Sequence, residues 1–276
     1  MSAVSSPWDA PFGDPIARWA VLTPEAAAVR DAATSTTVSY AALDRLATRW
    51  QRFLETQGVA RGTRVGILAP NSLAHVAAYV ACGRIGAALV PLNWRLAAPE
   101  LAEIVHDAAL ALLLVDDPAS VPPAASSVRV VPLADVVLPA ADAPPQVDVH
   151  LDPRDVAMVL YTSGSTGRPK GALLTHGMVL ANAIATVAAW QLSHTDVAPI
   201  ATPFFHTGAW HVFTTPLWWI GGSIVLFESF DAAVWLDAVA ANACTVAFAV
   251  PTQLAMLRDS AAWGRPLPAL QWLIVG

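Results

Sequence analysis

The stretch Tyr161-Thr-Ser-Gly-Ser-Thr-Gly-Arg-Pro-Lys170-Gly171 decides how the rest of this chain is read. It supplies hydroxyls from Thr162, Ser163, Ser165 and Thr166. Gly164 and Gly167 let backbone N–H groups turn toward an anion with no Cβ in the way. Lys170 is the only lysine in the chain; every other basic side chain is arginine. A lysine ammonium meets a phosphate oxygen as a compact point charge, whereas arginine binds as a rigid planar fork. Thr162, Ser163, Gly164, Ser165, Thr166, Gly167 and Lys170 are therefore the candidate phosphate contacts.

The common phosphate loop is a different pattern: glycine, four residues, then Gly-Lys-Ser/Thr. Here Pro169 stands where its second glycine would be, and Gly171 follows Lys170. A Gly-x-Gly-x-x-Gly dinucleotide fingerprint is also lacking in this stretch. The bland alternative is a soft Gly/Ser linker. Two features oppose it. The apolar runs 156–160 and 172–174 flank the stretch as two strands would, and Pro169 stiffens it.

Outward from this point the chain alternates between strand-like and helix-like segments. Residues 41–57 place Leu43, Leu46, Ala47, Trp50, Phe53 and Leu54 on one helical stripe, with Gly58 as a stop. The runs 64–69, 88–92 and 111–115 suit strands covered on both faces. Residues 73–85 and 99–107 read as the helices between them. Residues 116–150 are rich in Pro, Ala and Asp and read as a surface excursion or linker with a short strand at 128–131. Helices follow at 177–191, 208–220, 231–241 and 251–259, and strands from 199 and at 223–227, 245–250 and 271–275. This rhythm predicts an α/β fold: doubly wound, mostly parallel sheets with helices on both faces. The expected division is 1–60 as a segment packing with the second subdomain, 61–190 as a first α/β subdomain with the phosphate stretch, and 191–276 as a second.

The run from Tyr161 to Gly171 resembles the signature of the AMP-forming adenylating enzymes, which include acyl-CoA synthetases, adenylation domains of nonribosomal peptide synthetases and beetle luciferases. Further segments resemble that superfamily in the same order. They are Val38-Ser-Tyr40-Ala-Ala-Leu-Asp44, Arg64-Val-Gly-Ile-Leu-Ala-Pro-Asn-Ser72, Gly86-Ala-Ala-Leu-Val-Pro-Leu-Asn93, Pro203-Phe-Phe-His206 and Val250-Pro-Thr252. The resemblance runs from about Pro24 to the last residue. It implies ATP, Mg2+ and coenzyme A as cofactor and co-substrates, a hydrophobic carboxylic acid as substrate, and Lys170 as a contact to the leaving phosphates. It also implies that His206 borders the acyl pocket and the thiol route and is the candidate catalytic residue. The bland alternative for His206 is a core histidine bonded to a backbone carbonyl. His176 reads as a helix-start residue, and Asn93, Trp94 and Arg95 as a structural turn. The aromatic density from Phe204 to Trp219 suits an aliphatic or aryl acid, or simply a core.

The family's later elements have no matching position: the Y-G-x-T-E segment, the ribose-binding aspartate, the acidic metal ligand and the lysine that drives adenylation. No metal ligand is therefore assigned. The expectation is the N-terminal portion of an adenylating enzyme, ending on a buried strand and completed by a C-terminal portion or a partner chain. The competing readings are a nucleotide-binding fragment inactive by itself, an adenylation domain serving a carrier protein, and a degenerate remnant.

Composition bounds the alternatives. Among 276 residues, 55% are hydrophobic and 13% charged, a rich core and a lean surface. The net charge of −6 argues against a nucleic-acid partner. Cys82 and Cys244 lie in apolar runs and read as buried thiols of a cytoplasmic protein. The long uncharged run 197–227 holds too many prolines and glycines, along with His206 and His211, for a spanning helix. The first residues show neither the basic nor the apolar region of a secretory signal.

Overall fold

The computed structural model describes residues 14–123, 125, 128–140, 152–162 and 168–276. The chain opens with α1 (Pro15–Leu22), β1 (Ala27–Asp31), β2 (Thr37–Ser39) and α2 (Tyr40–Thr56). Next come β3 (Arg64–Leu68), α3 (Leu73–Ile85), β4 (Ala88–Pro91), α4 (Ala98–Ala108) and β5 (Leu112–Val115). β6 (Arg129–Pro132), β7 (Val156–Thr162) and β8 (Lys170–Thr175) complete the first sheet. The second half runs α5 (His176–Trp190), β9 (Val197–Ile200), α6 (Thr215–Ile220), β10 (Ser223–Leu226) and α7 (Ala232–Ala241). It closes with β11 (Val246–Ala249), α8 (Pro251–Arg258) and β12 (Trp272–Val275).

The first sheet has the order β6-β5-β3-β4-β7-β8, and only β7–β8 is antiparallel in it. The second has the order β2-β1-β10-β9, with β1–β2 antiparallel. β11 and β12 form a parallel pair beside β9, joined through the Thr245 N–H to the Val197 carbonyl at 2.9 Å. The fold is thus the expected one: mostly parallel sheets with helices on both faces.

Strand periodicity explains the layering. Alternate residues of a strand face opposite sides. In β5, Leu112 and Leu114 enter one core while Leu113 and Val115 enter another with Leu101, Ile104 and Val105 of α4. β10 does the same: Ile224 and Leu226 join the first core, and Val225 packs with Trp235, Leu236 and Val239 of α7. Both sheets therefore share one central layer, filled by α2, α3 and the segment around Trp210, Phe213 and Trp218. α3 is buried on most of its circumference, as a helix held between neighbours must be.

Arg84 sits in that layer with its side chain 1% exposed. Its Nε donates to Asp14 Oδ2 at 2.7 Å, Nη2 pairs with Asp44, and Nη1 donates to Thr48 Oγ1 at 3.0 Å. Asp14 also caps α1, its Oδ1 accepting from the Ala17 N–H at 3.0 Å. One guanidinium thus joins α1, α2 and α3. A buried charge is tolerated only with this degree of pairing.

Several expectations need correction. α1, β1 and β2 carry no strong periodicity and were not anticipated; β1 exists as a strand because β10 pairs with it. Within 116–150 the short strand expected at 128–131 is present as β6, and it extends the sheet beside β5. The helix expected at 208–220 begins as a π-helical stretch, Ala209–Thr214, before α6. Thr214 Oγ1 and Thr215 Oγ1 donate to the carbonyls of Ala209 and Trp210 at 2.6 and 3.1 Å, five residues back. The final strand was expected to be buried, yet Trp272, Leu273 and Val275 of β12 are exposed.

Two stability predictions follow from the buried polar groups. Replacing Arg84 by methionine leaves Asp14 and Asp44 without a cation and is expected to cost about 3–5 kcal/mol by urea unfolding at neutral pH; an unchanged midpoint would contradict this account of Arg84. Burial lowers the pKa of His75 and of His211 from 6.5 to about 4. The unfolded chain therefore takes up these protons first, and stability is lost as pH falls from 6.5 toward 4, by up to about 3 kcal/mol for each histidine. Urea midpoints measured between pH 7 and 4 should fall, and His75→Gln should flatten the slope.

Candidate functional site

A cavity of about 490 Å³ lies beyond the carboxyl ends of three strands. β4 leads into it through Pro91, Leu92 and Asn93. β7 ends on it with Tyr161 and Thr162. The loop after β9 brings Phe205 and His206, while Glu100 and Ile104 of α4 and Pro169 complete the wall. Ligands of parallel α/β sheets bind in this position because the connecting loops and helix starts converge there.

The structure places Thr162, at the end of β7, directly across from Lys170, the first residue of β8. Cross-strand partners share a face of an antiparallel pair. Thr162 and Pro169 line the cavity; Lys170 stands exposed next to Pro169 but does not line it. Ser163, Gly164, Ser165, Thr166 and Gly167 lie outside the described residues.

His206 is exposed at the cavity wall and does not occupy the core. Its ring leans on Phe205 at a centroid distance of 4.6 Å. Partial burial lowers its pKa, and the positive charge of Arg95 adds to that, so the imidazole is neutral at pH 7. A neutral imidazole can accept or donate one hydrogen bond there without placing a second cation beside the substrate.

His206 is held from below by a residue that the sequence reading passed over. Asn71, in the turn after β3, is 4% exposed. Its Nδ2 donates to the Thr202 carbonyl at 2.9 Å and its Oδ1 accepts from the Phe204 N–H at 2.7 Å. Trp210 Nε1 donates to the Phe204 carbonyl at 2.7 Å, and the two rings stack at 4.1 Å. The backbone on either side of Pro203 is thereby fixed, and His206 follows in the same turn, its N–H on the Pro203 carbonyl at 2.9 Å. A buried asparagine in a Pro-Asn-Ser turn was the only available signal.

The aromatic segment divides in two. Phe204, Trp210, Phe213 and Trp218 are core, and Phe205 faces the cavity. Asn93 does more than shape a turn, because it lines the cavity while its Oδ1 accepts from the Arg95 N–H at 3.0 Å. His176 opens α5 as expected; its Nε2 is buried and finds no hydrogen-bond partner among the described residues. A second cavity, of about 60 Å³, lies between α1, α3, α5 and α6 and has room for no more than a few water molecules.

Among the described residues no cluster of His, Cys, Asp or Glu forms a metal site, and no helix is long and apolar enough to cross a membrane. Hydroxyl, backbone and lysine donors suit an anionic phosphate better than a resident metal ion.

Known proteins share the fold and much of the sequence. A feruloyl-CoA synthase from an Amycolatopsis species is 37% identical over 262 residues, 94% of this chain and 52% of the relative. An indoleacetate–CoA ligase of Aromatoleum aromaticum is 34% identical, with 87% and 50% covered. The chain spans about half the length of the curated relatives it matches. The N-terminal domain of FACL13 from Mycobacterium tuberculosis superposes with a TM-score of 0.85 at 26% identity, over 96% of this chain and 69% of that one. ATP-bound MatB from Rhodopseudomonas palustris gives 0.80 at 26% identity, over 96% and 55%. The family model for AMP-binding enzymes matches residues 16–276, and this chain belongs to that family.

Proposed function

We propose that this chain is the N-terminal portion of an AMP-forming acid–thiol ligase. The carrying observation is the cavity that gathers Asn93, Thr162 and His206 from the ends of β4 and β7 and the loop after β9, with Pro169 in its wall and Lys170 opposite Thr162. The reaction joins a carboxylate to the α-phosphorus of ATP, releases pyrophosphate, and then passes the acyl group to a thiol. In-line displacement at phosphorus needs positioning and charge neutralisation more than covalent help. Lys170 supplies a cation for the β- and γ-phosphates, and Thr162 with the stretch 163–167 supplies hydroxyl and backbone donors. Neutral His206, carried beside Phe205, borders the carboxylate and the incoming thiol. ATP brings Mg2+ on its own phosphate oxygens.

The acid is hydrophobic. The feruloyl and indoleacetate names of the relatives, together with Phe205, Leu92 and Ile104 in the wall, favour an aryl acid. The thiol is coenzyme A. A carrier-protein thiol is the second reading, favoured by the 32% identity to a fatty acid–acyl-carrier-protein ligase of Streptomyces coeruleorubidus. Buried, free Cys82 and Cys244 support a cytoplasmic protein. The subdomains proposed are 61–190 and 191–276, with 1–60 packing on the second through β1 and β10. The remaining catalytic groups belong to the half of the relatives that this chain does not match, supplied by a further portion or a partner chain.

Lys170→Ala is expected to weaken MgATP binding about tenfold or more by calorimetry and to leave the thermal midpoint unchanged, because the side chain is exposed; unchanged affinity would remove Lys170 from the site. The chain by itself is expected not to sustain thioester formation from aryl or fatty acids, ATP and coenzyme A. Steady release of AMP and thioester by the purified chain would show that it carries the whole catalytic set.

A further inference from the structure

The end of β7 is tied to a helix by one short hydrogen bond. Tyr161 Oη donates to Asp107 Oδ2 at 2.6 Å, within the short range of hydrogen bonds from a hydroxyl to a carboxylate. Asp107 lies in the last turn of α4, the helix whose Glu100 and Ile104 form part of the cavity wall. The Tyr161 ring lies over Gly171, its direct partner on β8. A Cβ at Gly171 would come within 3.1 Å of Tyr161 Cζ and 2.9 Å of Val159 Cγ1, so the ring occupies the space a side chain would need. The next cross-strand pair is Thr162 with Lys170.

We propose that Tyr161 and Asp107 are a positioning pair, which fixes Thr162 on the cavity wall with Lys170 across from it at the cavity's edge, so that cation and hydroxyl meet a polyphosphate in fixed register. The pair touches no reacting atom; it acts through Thr162 and Lys170. Burial, and then the bond to Asp107, raise the Tyr161 pKa, so the hydroxyl stays a donor at neutral pH. The bond ties the strand end to α4, and the ring over Gly171 ties β7 to β8. This inference rests on the reading of the cavity as a nucleotide-phosphate site.

The test is calorimetric titration of the chain with MgATP and, separately, with AMP. Tyr161→Phe keeps the ring over Gly171 and removes only the hydroxyl. It is expected to weaken MgATP about tenfold and AMP less than about twofold, since AMP lacks the outer phosphates. Asp107→Ala should match it, the double variant should be no worse than either single one, and Asp107→Asn, which still offers an acceptor oxygen, should restore most of the affinity. Wild-type MgATP affinity in Tyr161→Phe and Asp107→Ala, or equal losses for MgATP and AMP, would overturn the pairing. If Lys170→Ala weakens MgATP while those two variants do not, the pairing falls and the phosphate site stands. If the unaltered chain binds no MgATP, both fall.

Discussion

The constraint on which the structure depends is the shared central layer. Two sheets each turn one row of side chains into the same helical core, so neither sheet can shift without repacking the other. Arg84 reinforces this from inside by joining three helices through paired carboxylates. The functional consequence is geometric. β4 and β7 of one sheet and β9 of the other end around one cavity, and the core between the sheets sets their separation.

Polar side chains then fix what packing leaves free. Asn71 holds the backbone of Thr202 and Phe204, which sets the turn carrying His206. Tyr161 reaches Asp107 and steadies the strand end carrying Thr162. In both cases a hydrogen bond crosses between elements far apart in sequence, buried at Asn71 and exposed at Tyr161, where apolar contacts alone would tolerate small displacements. A displacement of about 1 Å at such a site is costly for positional catalysis.

Much of this was legible before the structure. The apolar runs of β3, β4 and β5 announce strands covered on both faces, and the stripe Leu43, Ala47, Trp50, Leu54 announces α2. The hydroxyl–glycine–lysine stretch and the Pro-Phe-Phe-His segment mark two elements that meet at the cavity. What was not legible was non-local. β1 is defined by its pairing with β10, nearly two hundred positions later in the chain. The roles of Asn71 and Tyr161 lie in partners that no local pattern reveals. β12 is apolar enough to read as buried, but its exposure depends on what lies beside it and not on its own residues.

The central claim is that nucleotide phosphates bind at Thr162 and Lys170, beside the cavity that His206 borders. The most direct measurement is heteronuclear NMR of the isotope-labelled chain titrated with MgATP. The account predicts saturable shifts in the backbone amides of Thr162 and Lys170 and in the His206 ring, with Trp218 and Trp219 at the smaller cavity unmoved. Unshifted Thr162, Lys170 and His206 at saturating MgATP, or shifts confined to the smaller cavity, would contradict it.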